Sequence, residues 1–161
     1  MRKMLSATLL ICTAALLSTL LIVAVHATPP EDVSGYFDYT FEVTGSREAD
    51  GNLFIYAKEW EVWVGSFQGT AESVFRVEMF SAGFWNVWLR STFVGWVNGE
   101  YGELTIQLVG KKPAGEGWYG HWVILSGTGD LANLHGQGTW WGPGFGAAGP
   151  DIFYAGNMHF N

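Results

Sequence analysis

The segment Gly127-Thr128-Gly129-Asp130-Leu131-Ala132-Asn133-Leu134-His135-Gly136-Gln137-Gly138-Thr139 constrains the folding of this chain more than any other. Glycines at 127 and 129 permit the positive φ values of a tight reversal, and Asp130 is placed to accept hydrogen bonds from the backbone N–H groups that follow it. Leu131 and Leu134 would then plug one helical turn into a core. Gly136 and Gly138 fall on one face of the next strand, a pattern suited to a sharp bend or to close approach by another group. A small closed sheet needs such places.

Alternation with period 2 divides the chain after residue 34 into eight expected strands, at about 35–45, 52–64, 67–80, 84–97, 100–110, 117–126, 135–141 and 151–160. The third is the clearest. Phe67, Gly69, Ala71, Ser73, Phe75, Val77 and Met79 form one face, and Gln68, Thr70, Glu72, Val74, Arg76 and Glu78 form the other. Phe37, Tyr39, Phe41 and Val43 repeat the pattern in the first strand, and Leu104, Ile106 and Leu108 in the fifth. Ala49-Asp50-Gly51-Asn52, Ser81-Ala82-Gly83, Val97-Asn98-Gly99 and Lys112-Pro113-Ala114-Gly115 are reversal signals between neighbours, so consecutive strands should pair as hairpins. An open meander leaves two edges unpaired, and closure removes them. The expected fold is all-β, a single eight-stranded antiparallel β-barrel preceded by an N-terminal hydrophobic leader helix, with a β-sandwich as the alternative.

The glycine segment, the hairpin Phe93-Val94-Gly95-Trp96-Val97-Asn98-Gly99-Glu100-Tyr101-Gly102 and a closing strand from Phe153 to Phe160 together resemble the allene oxide cyclase-like and dirigent-like barrel superfamily, closest to its short microbial members. The likeness covers about the last 70 residues. It implies a barrel with an interior able to act on or hold a hydrophobic molecule, and a tendency to form trimers. No catalytic residue of that superfamily carries over onto a position of this chain.

Residues 1–27 read as a targeting segment. Arg2 and Lys3 precede an apolar run from Leu5 to Val25, and Val25-His26-Ala27 suits cleavage after Ala27. The run is 21 residues long, enough to span a bilayer, so an uncleaved membrane tether is the alternative. Residues 28–34 read as a linker and 35–161 as the barrel domain; the expected location is extracytoplasmic. The only cysteine, Cys12, lies in the leader, so the domain must be stable without disulfides. Without Arg2 and Lys3 the 8 basic residues become 6 against 15 acidic ones, a net charge of −9 that makes nucleic acid a poor partner.

No nucleophile elbow, phosphate loop, dinucleotide fingerprint or metal-ligand spacing occurs, so no catalytic residue, metal or cofactor is assigned. Glu59 and Glu61 share one face of the second strand, where like charges would make an acid–base pair if buried. The plainer reading turns both to solvent and points Trp60, Val62 and Val64 inward. Ser73 and Ser91 fall on inward faces. Gly142 to Pro150 reads as a loop over one end.

Tyr39, Trp85, Trp122 and Tyr154 are expected to line a ligand pocket with apolar walls and a few hydroxyl and indole donors, joined by His121 in the aromatic run Trp118-Tyr119-Gly120-His121-Trp122. The expected partner is a small hydrophobic molecule. On the fourth strand Phe84, Trp88, Val94 and Trp96 would face outward beside Asn86, Arg90 and Thr92, a patch that suits homo-oligomer contacts unless the loop around Phe145 covers it.

Overall fold

In the computed structural model, residues 28–143 and 149–161 are described. The leader expected at 1–27, and most of the loop expected at 142–150, lie outside them. Eight strands follow one another: β1 Glu31–Ala49, β2 Asn52–Gly65, β3 Phe67–Met79, β4 Trp85–Val97, β5 Glu100–Lys112, β6 Trp118–Gly129, β7 Leu134–Gly142 and β8 Ile152–Phe160. Every neighbouring pair is antiparallel, and β1 pairs with both β2 and β8, so the sheet closes on itself as a barrel. The closure is tied where the described residues begin and end. Thr28 N–H donates to the Phe160 carbonyl at 2.8 Å, and Phe160 N–H donates back to Thr28 Oγ1 at 2.8 Å. Among the described residues no helix is long and apolar enough to cross a membrane.

Tight hairpins follow from local chemistry. Asp50 and Gly51 have φ of 52° and 76°, and Asn98 and Gly99 have 49° and 94°. Two consecutive positive φ values match the right-handed twist of the strands they join, and Asp, Asn and Gly adopt them at least cost. Two irregularities adjust the faces. At the bulge between Val43 and Gly45, Thr44 Oγ1 donates to the Tyr56 carbonyl at 3.1 Å. In β6, Leu125 is the extra residue opposite the Thr105/Ile106 step. It is exposed, and the inward face resumes at Gly127 opposite Leu104.

Three expectations need correction. Residues 31–34 are not linker: Glu31 to Ser34 pair with Met158 to Ala155 of β8. The reversal expected at Gly127 starts later, because β6 runs on to Gly129 and the turn is Asp130 to Asn133. Gly129 has a positive φ of 64°; Gly127 is required for space, since a Cβ there would run into the Leu131 carbonyl. Lastly, the inward face of β2 is the opposite of the one expected. Trp60, Val62 and Val64 are exposed, while Ala57, Glu59, Glu61 and Trp63 are buried. The neighbours dictate this, because directly paired residues share a face. Trp63 pairs with Phe37, and Glu61 with Ala71, both core residues.

The core is concentrated at the end that carries the β2–β3, β4–β5 and β6–β7 connections. There Phe67 stacks on Tyr154 at 5.2 Å between ring centroids and meets Trp122 edge-on at 5.8 Å. Leu131 and Leu134, in the turn after β6, are buried with them. The Tyr154 hydroxyl accepts from Phe67 N–H at 3.0 Å and donates to the Val64 carbonyl at 3.4 Å. Burial pushes this phenol up to about 12, so it stays neutral. Each such side chain contributes roughly 1.5–3 kcal/mol of burial.

Candidate functional site

The opposite end holds a cavity of about 440 Å³, open to solvent and walled mainly by aromatic and aliphatic side chains. β1 contributes Phe37, Tyr39, Phe41 and Val43; β3 and β4 contribute Phe75, Val77, Met79, Trp85, Val87 and Leu89. Leu108, Trp118, Trp140 and Ile152 complete the far side. Phe41 and Val43 lie on the inner wall, yet 40% and 51% of their surface is exposed. Phe75 meets Phe41 edge-on at 5.7 Å, and Trp118 approaches Trp85 at 5.9 Å. Lys112 stands at the rim, its ammonium 4.6 Å from the centre of the Trp85 ring.

Glu59 reaches this cavity from β2 and is only 6% exposed. Glu61, two residues deeper, is 1% exposed. Its Oε2 accepts from the Trp63 indole N–H at 2.5 Å, and its Oε1 accepts from the Ser91 hydroxyl at 3.0 Å. Ser73 Oγ lies against the same carboxylate oxygen and 2.7 Å from Ser91 Oγ. Each hydroxyl has one proton, so Ser73 donates either to Glu61 or to Ser91. These donors all favour an anionic Glu61 against the desolvation that pushes its carboxyl up.

Glu59 has no such set. Burial pushes it up to about 9, with further contributions from the charge of Glu61, a hydrogen bond to Glu61 and the charge of Asp151. Two carboxylates this close in a low-dielectric site do not both ionise near neutral pH. Burial pushes both carboxyls up, opposed at Glu61 by its donors and reinforced at Glu59 by the charges of Glu61 and Asp151, so Glu59 keeps its proton near neutral pH. A carboxylic acid therefore faces the apolar cavity at its inner end.

Of the residues expected to bind a ligand, Tyr39 and Trp85 line the cavity. Tyr39 N–H also donates to Asp151 Oδ2 at 3.3 Å, and Asp151 N–H donates to Asp38 Oδ1 at 3.2 Å, which ties β1 to the start of β8. Trp122 and Tyr154 point inward as expected but belong to the packed end. The Trp122 indole donates to the Ala155 carbonyl at 3.2 Å. His121 does not line the interior. It is exposed on the outer face, opposite Val109 and Thr139, because the inward parity of β6 is taken by Trp118 and Trp122.

The expected solvent exposure of Glu59 and Glu61 is overturned by the same register that buries them. The sequence did hold a signal for this. Ser73 and Ser91 interrupt otherwise apolar inward faces and pair directly across β3 and β4, marking a buried polar spot that needs a partner. Among the described residues no three His, Cys, Asp or Glu side chains stand close enough to hold a metal ion.

No family model matches this chain, and no curated protein matches it. Among solved structures it is similar to a protein with unknown function from the DUF3224 family of Shewanella oneidensis MR-1. The TM-score is 0.69 at 17% identity, over 83% of this chain and 98% of that one. At that identity the likeness establishes the fold alone: an all-β ring of eight antiparallel strands.

Proposed function

We propose that this chain is a secreted or membrane-tethered β-barrel that binds a small apolar or aromatic molecule in the cavity at the open end. The observation that carries the reading is an aromatic inner wall, accessible from solvent, that ends on a buried carboxylic acid. Apolar walls with a few convergent polar groups are the usual make-up of a small-molecule site, and 440 Å³ is within the range for one small ligand. Glu59 supplies an orienting group. A protonated carboxyl donates to a carbonyl or hydroxyl oxygen without the cost of desolvating an ion. The leader at 1–27 supports an extracytoplasmic address.

Tryptophan fluorescence tests the reading, since Trp85, Trp118 and Trp140 line the cavity. Titration with a panel of naphthalene-sized and smaller hydrophobic compounds should give a saturable change. Val87→Trp, which fills the cavity from β4, should abolish it while circular dichroism stays unchanged. A panel without any saturable change, or binding that survives Val87→Trp, overturns the proposal. A second reading, an enzyme acting by cavity shape on a hydrophobic substrate, is favoured by the Glu59 proton at the cavity floor. Its signature would be turnover of the bound compound that Glu59→Gln removes and that Ser126→Ala, on the outer face, leaves intact.

A further inference from the structure

The two charged residue types on the cavity wall, one acid and one base, stand far apart. Glu59 enters its inner end from β2 with Glu61 buried behind it, and Asp151, just before β8, lies close enough to act on Glu59 electrostatically. The one basic residue on the cavity wall, among the described residues, is Lys112. It pairs with Trp85, and Trp85 with Met79, which pairs with Leu53. This rim row is six residues along β2 from Glu59, roughly 20 Å at the rise of a strand. Among the described residues no basic side chain of the cavity wall stands beside Glu59. Beside Glu59 stands Phe41, its cross-strand partner, whose ring meets Phe75 edge-on. Trp85 and Trp118 continue the aromatic wall toward the mouth.

We infer that the cavity selects an amine: an apolar or aromatic body carrying a single ammonium group, which is seated against the Glu59 carboxyl beside the rings of Phe41 and Phe75. The inference deepens the proposed ligand-binding role and rests on it. Aromatic faces attract a cation through their ring quadrupoles, and a carboxylate at the end of the cavity gives it a counter-ion. Proton and charge balance. The ammonium enters with one positive charge, Glu59 releases its proton to solvent, and the carboxylate so formed is the counter-ion of the cation. Glu61 keeps its bonds to Ser73, Ser91 and Trp63 throughout. A carboxylate ligand would meet like charge at the same place, and a neutral one would leave the acid pair as it was.

Because the ammonium and a proton compete for Glu59, amine affinity should rise with pH up to the point where the amine itself loses its charge. The groups facing Glu59 that enter this balance are Glu61 on its own strand, Ser73 and Ser91 from β3 and β4, Tyr39 from β1 and Asp151; Lys112 is at the rim.

Three probes with one ring system separate the terms: 1-naphthylmethylamine, 1-naphthylmethanol and 1-methylnaphthalene, titrated into the unmodified protein at 0.15 M salt and read by tryptophan fluorescence. The amine should bind about tenfold or more tighter than the alcohol at pH 8, with the advantage shrinking at pH 6. Calorimetry at pH 7 in phosphate and in Tris should report about one proton released per amine bound. Glu59→Gln should lose the preference for the amine while still binding the alcohol. An alcohol that saturates as tightly as the amine, or amine binding without proton release, overturns the amine inference and leaves the cavity reading in place. If none of the three probes saturates, the cavity reading itself fails.

Discussion

Stability should fall as pH rises from 5 to 9, and Glu59→Gln should flatten that fall. Glu59 has a folded value raised from 4.5 to about 9, mainly because burial disfavours its charged form. Between those limits the unfolded chain has released the proton and the folded chain has kept it. The folded state therefore binds more protons, and stability decreases with pH across the window. Stability from this group is complete below 4.5 and lost on passing 9. Each tenfold change in proton affinity is worth about 1.4 kcal/mol, which sets an upper bound of about 6 kcal/mol. The cavity is open to solvent and Glu61 shares the titration, so about half of that, about 3 kcal/mol, is the expected loss. For a domain of this size it corresponds to a drop in Tm of about 10 °C. Thermal melts followed by circular dichroism at pH 5, 6, 7, 8 and 9 measure it, with Glu59→Gln alongside. The variant has no proton to lose at this position, so its Tm should depend much less on pH. A wild-type Tm that is flat or rising over the window would refute the buried acid, as would a variant with an undiminished slope.

Gly138→Val should cost about 4 kcal/mol or more, because a Cβ there would collide with the Ala155 carbonyl and stand 2.6 Å from Trp122 Nε1. Gly136→Ala should cost far less, about 1 kcal/mol, since its nearest neighbour is the movable Ile124 Cδ1 at 3.0 Å; urea titrations that rank the two the other way would contradict the close-approach argument. Intact-mass analysis of protein from the native host should show cleavage after Ala27, and retention of residues 1–27 would mean a membrane anchor. Of the outward side chains expected to mediate self-association, Phe84, Val94 and Trp96 are exposed and Trp88 is half-buried beneath Arg90. Sedimentation equilibrium should show an oligomer that Trp88→Ser and Trp96→Ser dissociate without unfolding, and a concentration-independent monomer would remove the interface.

Periodicity alone determined the number of strands, their hairpin order and the inward faces of β1, β3, β4 and β5. In those strands one face is plainly more apolar than the other, so the local pattern and the buried face agree. Turn chemistry at Asp50-Gly51 and Asn98-Gly99 did the same for the connections. The second strand was not legible in this way. It carries Trp60, Val62 and Val64 on one face and Glu59, Glu61 and Trp63 on the other, and taken alone the first set is the more hydrophobic. Only pairing with Phe37 on one side and Ala71 on the other turns the glutamates inward, and only Ser73, Ser91 and Trp63 make that burial tolerable. The location of the cavity was decided at the same level. Tyr39, Trp85, Trp122 and Tyr154 all point inward, but the twist and stagger of a closed sheet stack Trp122 and Tyr154 with Phe67 at one end and leave Tyr39 and Trp85 around open space at the other. A period of two residues carries the side of the sheet a residue faces. How far along the barrel axis it comes to rest, and what meets it there from strands distant in sequence, depends on the register of all eight strands together.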